Sequence, residues 1–386
     1  MSATFPKTAD IVIIGGGVMG SSCAYHLAKA GVRDVVLLEK DVYFGQGATG
    51  RCAGGVRYQF ATEINIRLSI ASLAMLEDFR DETGVDPAYR QCGYLFVLTR
   101  PEDVKAFERN VDLQRRLGVQ TEWLSGDDVR SRLPHMRFED ALAGTFHAKD
   151  GLADPNSIVM GYVQAARRMG ARCLTEAEVV GLEVQNGRIV AVETRLGRAQ
   201  THTVINAAGP WAGLIGAMAG VEIPIAPVRR QMLTTTPLPD LPKDFPFVID
   251  FAQSLYFHRE GDGILTGMSN PSQEPGFDQG IDEEWELVAM EAALERLPML
   301  EKAGRLAGWA GLYEITPDSH PIFGPTPVEG FFVVGGFSGH GFMHGPVAGQ
   351  IMTEYLLEGS PRTVDVTPLN PARFDEGRLI QEYNVV

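Results

Sequence analysis

Hydrophobic positions follow two rhythms along this chain. The short continuous runs Ile11–Ile14 and Val35–Leu38 read as buried strands, and Val18–Ala30 between them carries a helical pattern. Glu63–Thr83 places Ile64, Leu68, Leu73, Leu76 and Phe79 on a helical face. Tyr94–Leu98 predicts a strand, and Pro101–Leu117 a helix opened by its proline. Asn156–Met169 predicts a helix after Pro155. Glu178–Val184 and Arg188–Thr194 predict strands joined by a hairpin turn at Asn186-Gly187, followed by a strand over Thr201–Ala207. Val228–Met268 alternates strands and turns, Glu283–Leu297 is an amphipathic helix, Phe331–Val334 a strand and Gly345–Leu357 a last helix. Glu122–Asp150 is mixed.

The order of these elements predicts two interleaved domains. Segments 1–85, 151–220 and 323–386 form a Rossmann-like α/β domain; segments 86–150 and 221–322 form an α+β substrate domain on a large, mainly antiparallel sheet. A length of 386 residues agrees with two cores.

Composition narrows the function. Hydrophobic residues at 45% and charged residues at 22% are globular proportions, and no apolar run reaches the length of a membrane span. The N-terminus lacks a signal-like apolar region, so a cytoplasmic location is expected. A formal charge of −15 opposes nucleic-acid binding. The four cysteines, Cys23, Cys52, Cys92 and Cys173, have no metal-ligand or disulfide spacing, and no metal site is expected. Asp127-Asp128 and Glu283-Glu284 fall at helix starts, where they serve the dipole rather than catalysis.

The richest stretch is DIVIIGGGVMG, Asp10–Gly20. Gly15 permits the tight turn, Gly17 lets backbone approach a pyrophosphate, and Gly20 lets the helix pack closely on the strand. The helix N-terminus favours the negative charge. The second strand ends at Glu39, placed to accept hydrogen bonds from an adenosine ribose. The unit binds a dinucleotide. Three further segments favour FAD over NAD: the small-residue loop Gly45–Arg57, the strand end VINAAGPWAG at 204–213, and GGFSGHGFMHGPVAG at 335–349.

The motifs GGGVMG (15–20), GGVRYQF (54–60), NAAGPWA (206–212), YFHREGDGILTG (256–267), GLYEITPDSHPIFGP (311–325) and GFSGHGFMHGP (336–346) resemble those of the D-amino-acid-oxidase-like FAD oxidoreductases. Within them the chain is most similar to the group holding sarcosine oxidase, monomeric and β subunit, and the proline dehydrogenase β subunit. The resemblance implies oxidation of a C–N bond in an amino acid or N-methyl amine, with FAD bound beneath the antiparallel sheet.

It also implies roles for individual residues. FAD contacts fall at Gly15, Gly17, Val18, Met19, Gly20, Glu39 and Lys40, then at Ala48, Thr49, Arg51, Gly54 and Gly55. They continue at Val179, Ala207, Ala208, Gly209, Trp211 and Gly311, and end at Gly339, His340, Gly341, Phe342 and Met343. Arg57 matches an arginine that holds the substrate carboxylate, for which a planar guanidinium fork is suited. Tyr256 and Tyr313 match aromatic pocket walls, and His258 shares the strand face of Tyr256. His344 lies near the start of the last helix, facing either the pocket or solvent.

Three departures matter. Met343 and Leu265 stand where the sarcosine oxidase pattern carries lysines, which weakens sarcosine binding in the same manner and favours a dehydrogenase over a fast oxidase. Gly311 stands where some relatives attach the flavin through cysteine, so a non-covalent cofactor is expected. The expected partners are a small amino acid or amine, and an electron-accepting subunit or a second copy of the chain. The alternatives are a catalytic β subunit of a hetero-oligomeric dehydrogenase and a non-catalytic FAD-binding assembly factor.

Overall fold

The computed structural model describes residues 5–385. Its first sheet has six strands in the order Ile322–Pro325, Phe331–Gly335, Val204–Asn206, Ile11–Ile14, Val35–Leu38 and Arg172–Leu174. All neighbours are parallel except the first pair. Buried on both faces, these strands carry no polar alternation. Helices Val18–Lys29, Pro155–Arg168 and Gly341–Glu358 share one core with one face, through Cys23, Leu27, Val163, Val347 and Ile351. The antiparallel strands Val179–Gln185, Arg188–Thr194 and Gly197–Gln200 cover the other face through Val179, Ile189 and Val192.

The second sheet has eight strands, in the order Arg305–Ile315, Ala226–Thr235, Gly263–Met268, Leu255–Glu260, Phe247–Asp250, Tyr94–Leu98, Ala143–His147 and Glu122–Ser125. One pair is parallel, Phe247–Asp250 with Tyr94–Leu98; the rest are antiparallel. Leu95, Val97, Leu255, Phe257 and Ile264 pack on one face with Ala293 and Leu297. Tyr94, Phe96, Phe247, Ile249, Tyr256, Leu265 and Met232 occupy the other. That second face roofs the cavity described below.

Several elements differ from the sequence expectation. The helix expected over Glu63–Thr83 breaks at Asp78 into Glu63–Glu77 and Phe79–Thr83. The mixed stretch Glu122–Asp150 holds two sheet strands around the helix Gly126–Arg132. Ser125 and Asp128 close that helix with a reciprocal capping box, which accounts for one acidic pair. The strand expected over Thr201–Ala207 shortens to Val204–Asn206. The last helix starts at Gly341, four residues earlier than its propensity suggests. Gly345 and Gly349 there lie against Val18 and Ser22, so tertiary packing overrides glycine's helix cost.

Candidate active site

A single long cavity runs from the glycine turn after Ile14 to the roof sheet, with about 1920 Å³ of empty space including its mouth. The turn is built as the motif requires. Gly15 has φ +109°, and a Cβ there would lie 2.4 Å from the Ala207 carbonyl oxygen. Gly20 is not in the cavity wall; a Cβ on it would meet the Gly15 carbonyl oxygen at 1.9 Å, which is the close helix–strand contact expected of it. Val18 N–H at the helix start donates to Thr49 Oγ1 at 3.1 Å, fixing the following loop against the turn. Glu39 is buried and accepts from Gly16 N–H at 2.8 Å and Asp41 N–H at 2.9 Å. Burial pushes its carboxyl above the usual range.

The other expected cofactor residues line the same cavity. Gly17, Val18, Met19, Glu39 and Lys40 stand at one end, with Ala48, Thr49, Arg51, Gly54 and Gly55 along the loop. Val179, Ala207, Ala208, Gly209 and Trp211 form a side wall, and Lys40 Nζ sits 3.6 Å over the Trp211 ring. Gly311, Gly339, His340, Gly341, Phe342 and Met343 complete it. His340 caps the last helix, so its N-terminus opens on the cavity. A Cβ on Gly339, whose φ is +99°, would lie 2.3 Å from the Tyr313 ring. The glycine therefore lets the turn seat that ring. This long, glycine-walled cleft, with a helix N-terminus at its dinucleotide end, fits FAD. Cys52 also lines it, but burial pushes its thiol up to about 12, so it is not a thiolate.

At the roof end stand Arg57, Tyr256 and Tyr313. Arg57 is buried, with its guanidinium carbon 3.9 Å from the Phe60 ring centre. Its nitrogens donate to the main-chain carbonyls of Gln59 and Asn384. No carboxylate among the described residues pairs with it. The Asn384 carbonyl comes from a C-terminal segment anchored by Glu382, which accepts from Ala61 N–H, Thr62 N–H and Asn65 Nδ2.

The structure places His258 outside the cavity wall. It does share the strand face of Tyr256, but its ring lies 5.1 Å from the Phe247 ring and its Nδ1 is 3.1 Å from the Arg259 carbonyl. Burial lowers its pKa to about 4, so it stays neutral at physiological pH. His344 is likewise outside the wall, with Nε2 2.9 Å from Ser69 Oγ and a pKa that burial lowers to about 3. His340 does line the cavity, and burial holds it neutral. Leu265 is buried in the roof, beside His258 in register, and brings no charge.

Among the ionisable wall residues that escaped the sequence reading are Arg230 and Glu314. Arg230, on the strand Ala226–Thr235, faces the cavity. Strand alternation carried the signal, since it puts Arg230 on the side of Met232. Glu314, next to Tyr313, lines the cavity with Oε2 buried and unpartnered. Burial raises its pKa to about 7. Nothing in the sequence marks Glu314, because its burial comes from the distant turn at Gly335–Phe337.

Among the described residues no group of His, Cys, Asp or Glu could hold a metal, and no helix is long and apolar enough to cross a membrane.

The family model for FAD dependent oxidoreductases (DAO) matches residues 10–355, so the chain belongs to that family. It is 30% identical to mitochondrial sarcosine dehydrogenase of Mus musculus over 99% of this chain and 43% of that protein. It is 32% identical to mitochondrial dimethylglycine dehydrogenase of Rattus norvegicus over 97% of this chain and 46% of that one. The chain thus spans less than half the length of these two relatives. Among solved structures, L-proline dehydrogenase from P. horikoshii is 33% identical with a TM-score of 0.90, covering 97% of this chain and all of the other.

Proposed function

We propose that this chain oxidises the C–N bond of an amino acid or N-methyl amino acid. The observation that carries the reading is Arg57: a buried guanidinium in the cavity wall, bonded to main-chain carbonyls and, among the described residues, paired with no acid. Guanidinium stays protonated even when buried, and a carboxylate would supply the missing counter-charge. Bound in this cavity, FAD would supply the acceptor for a hydride equivalent leaving the carbon attached to nitrogen, and the imine product would hydrolyse in water. Arg57 orients the substrate by its carboxylate, while Tyr256 and Tyr313 enclose it from the roof. The last helix directs its N-terminal amides at the cavity, where they favour negative charge. No side-chain base is required if substrate binds as the free amine. His340 remains neutral and serves as part of the wall.

Leu265 supports a dehydrogenase. A cation about 4 Å from a forming anion contributes about 4 kcal/mol at an effective dielectric of 20. An apolar residue at that place withholds that help, which favours a quinone, a dye-like carrier or a partner subunit over oxygen as the acceptor.

The test compares each amino acid with its decarboxylated counterpart, for instance proline with pyrrolidine, using an artificial dye as acceptor. The carboxylate-bearing member of at least one pair should be the better substrate by tenfold or more. Preference for the bare amine throughout would remove the carboxylate from the account. Retained FAD with no turnover of any amine would favour an assembly role.

A further inference from the structure

Arg57 is not the only unpaired guanidinium in this cavity. Arg230 lines it too, and among the described residues its one hydrogen-bond acceptor is the Arg229 main-chain carbonyl at 3.0 Å. Its Nε is buried with no partner. The contrast with its neighbour is direct. Arg229, on the opposite face of the strand, is paired with both Asp278 and Asp282. Acids therefore neutralise the arginine outside the cavity and leave the one inside it unmatched.

Two of the three cavity arginines, Arg57 and Arg230, lie near one ring, while the third, Arg51, donates to the main-chain carbonyls of Gln46 and Ala310. The guanidinium carbon of Arg230 lies 5.3 Å from the Tyr313 ring centre, and both Arg57 and Arg230 act electrostatically on Tyr313. Across the strand pair, Arg230 stands opposite Gly311, which puts no side chain in front of it. The acid nearest in sequence to Tyr313, Glu314, is turned instead to the backbone of Gly336 and Phe337. The cofactor's pyrophosphate is not the counter-ion either. It belongs at the glycine turn of the first sheet, whereas Arg230 stands in the roof. With no acid in salt-bridge contact among the described residues, the buried Arg57 and the half-buried Arg230 cost desolvation energy, which a dianion filling the same space would offset.

We propose that Arg57 and Arg230 form a two-point anion site and that the substrate is a dicarboxylic amino acid or N-substituted amino acid, one carboxylate at each guanidinium. This rests on the amino-acid reading of the cavity and narrows it. Arg230 is then a specificity-determining residue, absent from the chemistry itself.

The test uses the FAD-loaded protein and two ligands without an oxidisable amine, oxydiacetate and methoxyacetate, which differ by one carboxylate. Each is titrated against the absorbance spectrum of the bound flavin. Oxydiacetate should bind at least tenfold more tightly than methoxyacetate. Arg230→Gln should reduce that ratio to about twofold or less and leave methoxyacetate binding unchanged, and Arg230→Lys should keep part of the ratio. Equal binding of the two ligands to the unaltered protein overturns the proposal and needs no variant to do so. A ratio that survives Arg230→Gln also overturns it. Methoxyacetate binding that persists unchanged in Arg57→Ala overturns the carboxylate role of Arg57, and with it the amino-acid reading. Equal binding that disappears in Arg57→Ala overturns only the second anion point.

Discussion

Arg57 and Glu314 are opposite cases of a buried charge. Arg57 keeps its proton and satisfies its donors with the carbonyls of Gln59 and Asn384. Arg57→Ala removes a charge-assisted contact of about 2–4 kcal/mol, and kcat/KM should fall about 30–1000-fold with FAD still bound. Arg57→Lys should recover only part, because an ammonium lacks the fork. An unchanged kcat/KM in the alanine variant would take Arg57 out of the substrate site. Glu314 instead yields its charge, with a pKa moved from 4.5 to about 7 by burial. Below pH 4.5 both folded and unfolded chains hold the proton. Between 4.5 and about 7 the unfolded chain ionises first, so rising pH costs the folded state stability. The shift amounts to about 3 kcal/mol at roughly 1.4 kcal/mol per pKa unit. In FAD-free protein, Glu314→Gln should match the unaltered chain at pH 4.5 and exceed it in melting temperature at pH 8. A difference independent of pH would refute the titration.

Among the elements, the turn before the last helix depends on a single missing side chain. A Cβ at residue 339 would press on the Tyr313 ring at 2.3 Å and would require a positive φ of +99°. Gly339→Ala should therefore displace Tyr313 and weaken FAD binding tenfold or more, read by fluorescence titration of FAD-free protein. Binding within twofold of the unaltered chain would show that the turn relaxes without loss. The glycines and the strands around them were legible in the sequence, because short apolar runs and a GxGxxG turn are local signals. The start of the last helix was not. His340 became a cap through packing of Gly345 and Gly349 on Val18 and Ser22, contacts that join the two ends of the chain. The role of Arg230 was hidden for a related reason. Its alternation was visible, but which face met the cavity depended on how the sheet docks.

At the scale of the whole molecule, each sheet is assembled from separated segments. The parallel sheet draws on strands at 11–38, 172–174, 204–206 and 322–335, and the roof sheet on 94–147 and 226–315. Segments of the two sheets thus alternate along the chain. Motif order made most of the cavity wall readable. His258 shows the limit: the correct face of the correct strand still placed it outside the wall, beside the Ala53 backbone and the Phe247 ring. The same reading predicts that acid precipitation frees the flavin, since Gly311 offers no thiol and Cys52 is held as a neutral thiol. Yellow cofactor retained on the pellet would contradict it.

The central claim, that this cavity passes electrons from an amino acid to FAD, is tested most directly by anaerobic reduction of the bound flavin. Substrates are added one at a time, without any acceptor: monocarboxylic and dicarboxylic amino acids, their N-methyl forms and the corresponding bare amines. The account predicts that at least one carboxylate-bearing amine bleaches the flavin absorbance fully and that Arg57→Ala slows that bleaching at equal substrate concentration. A flavin that stays oxidised before the whole panel, or that only bare amines bleach, would contradict it.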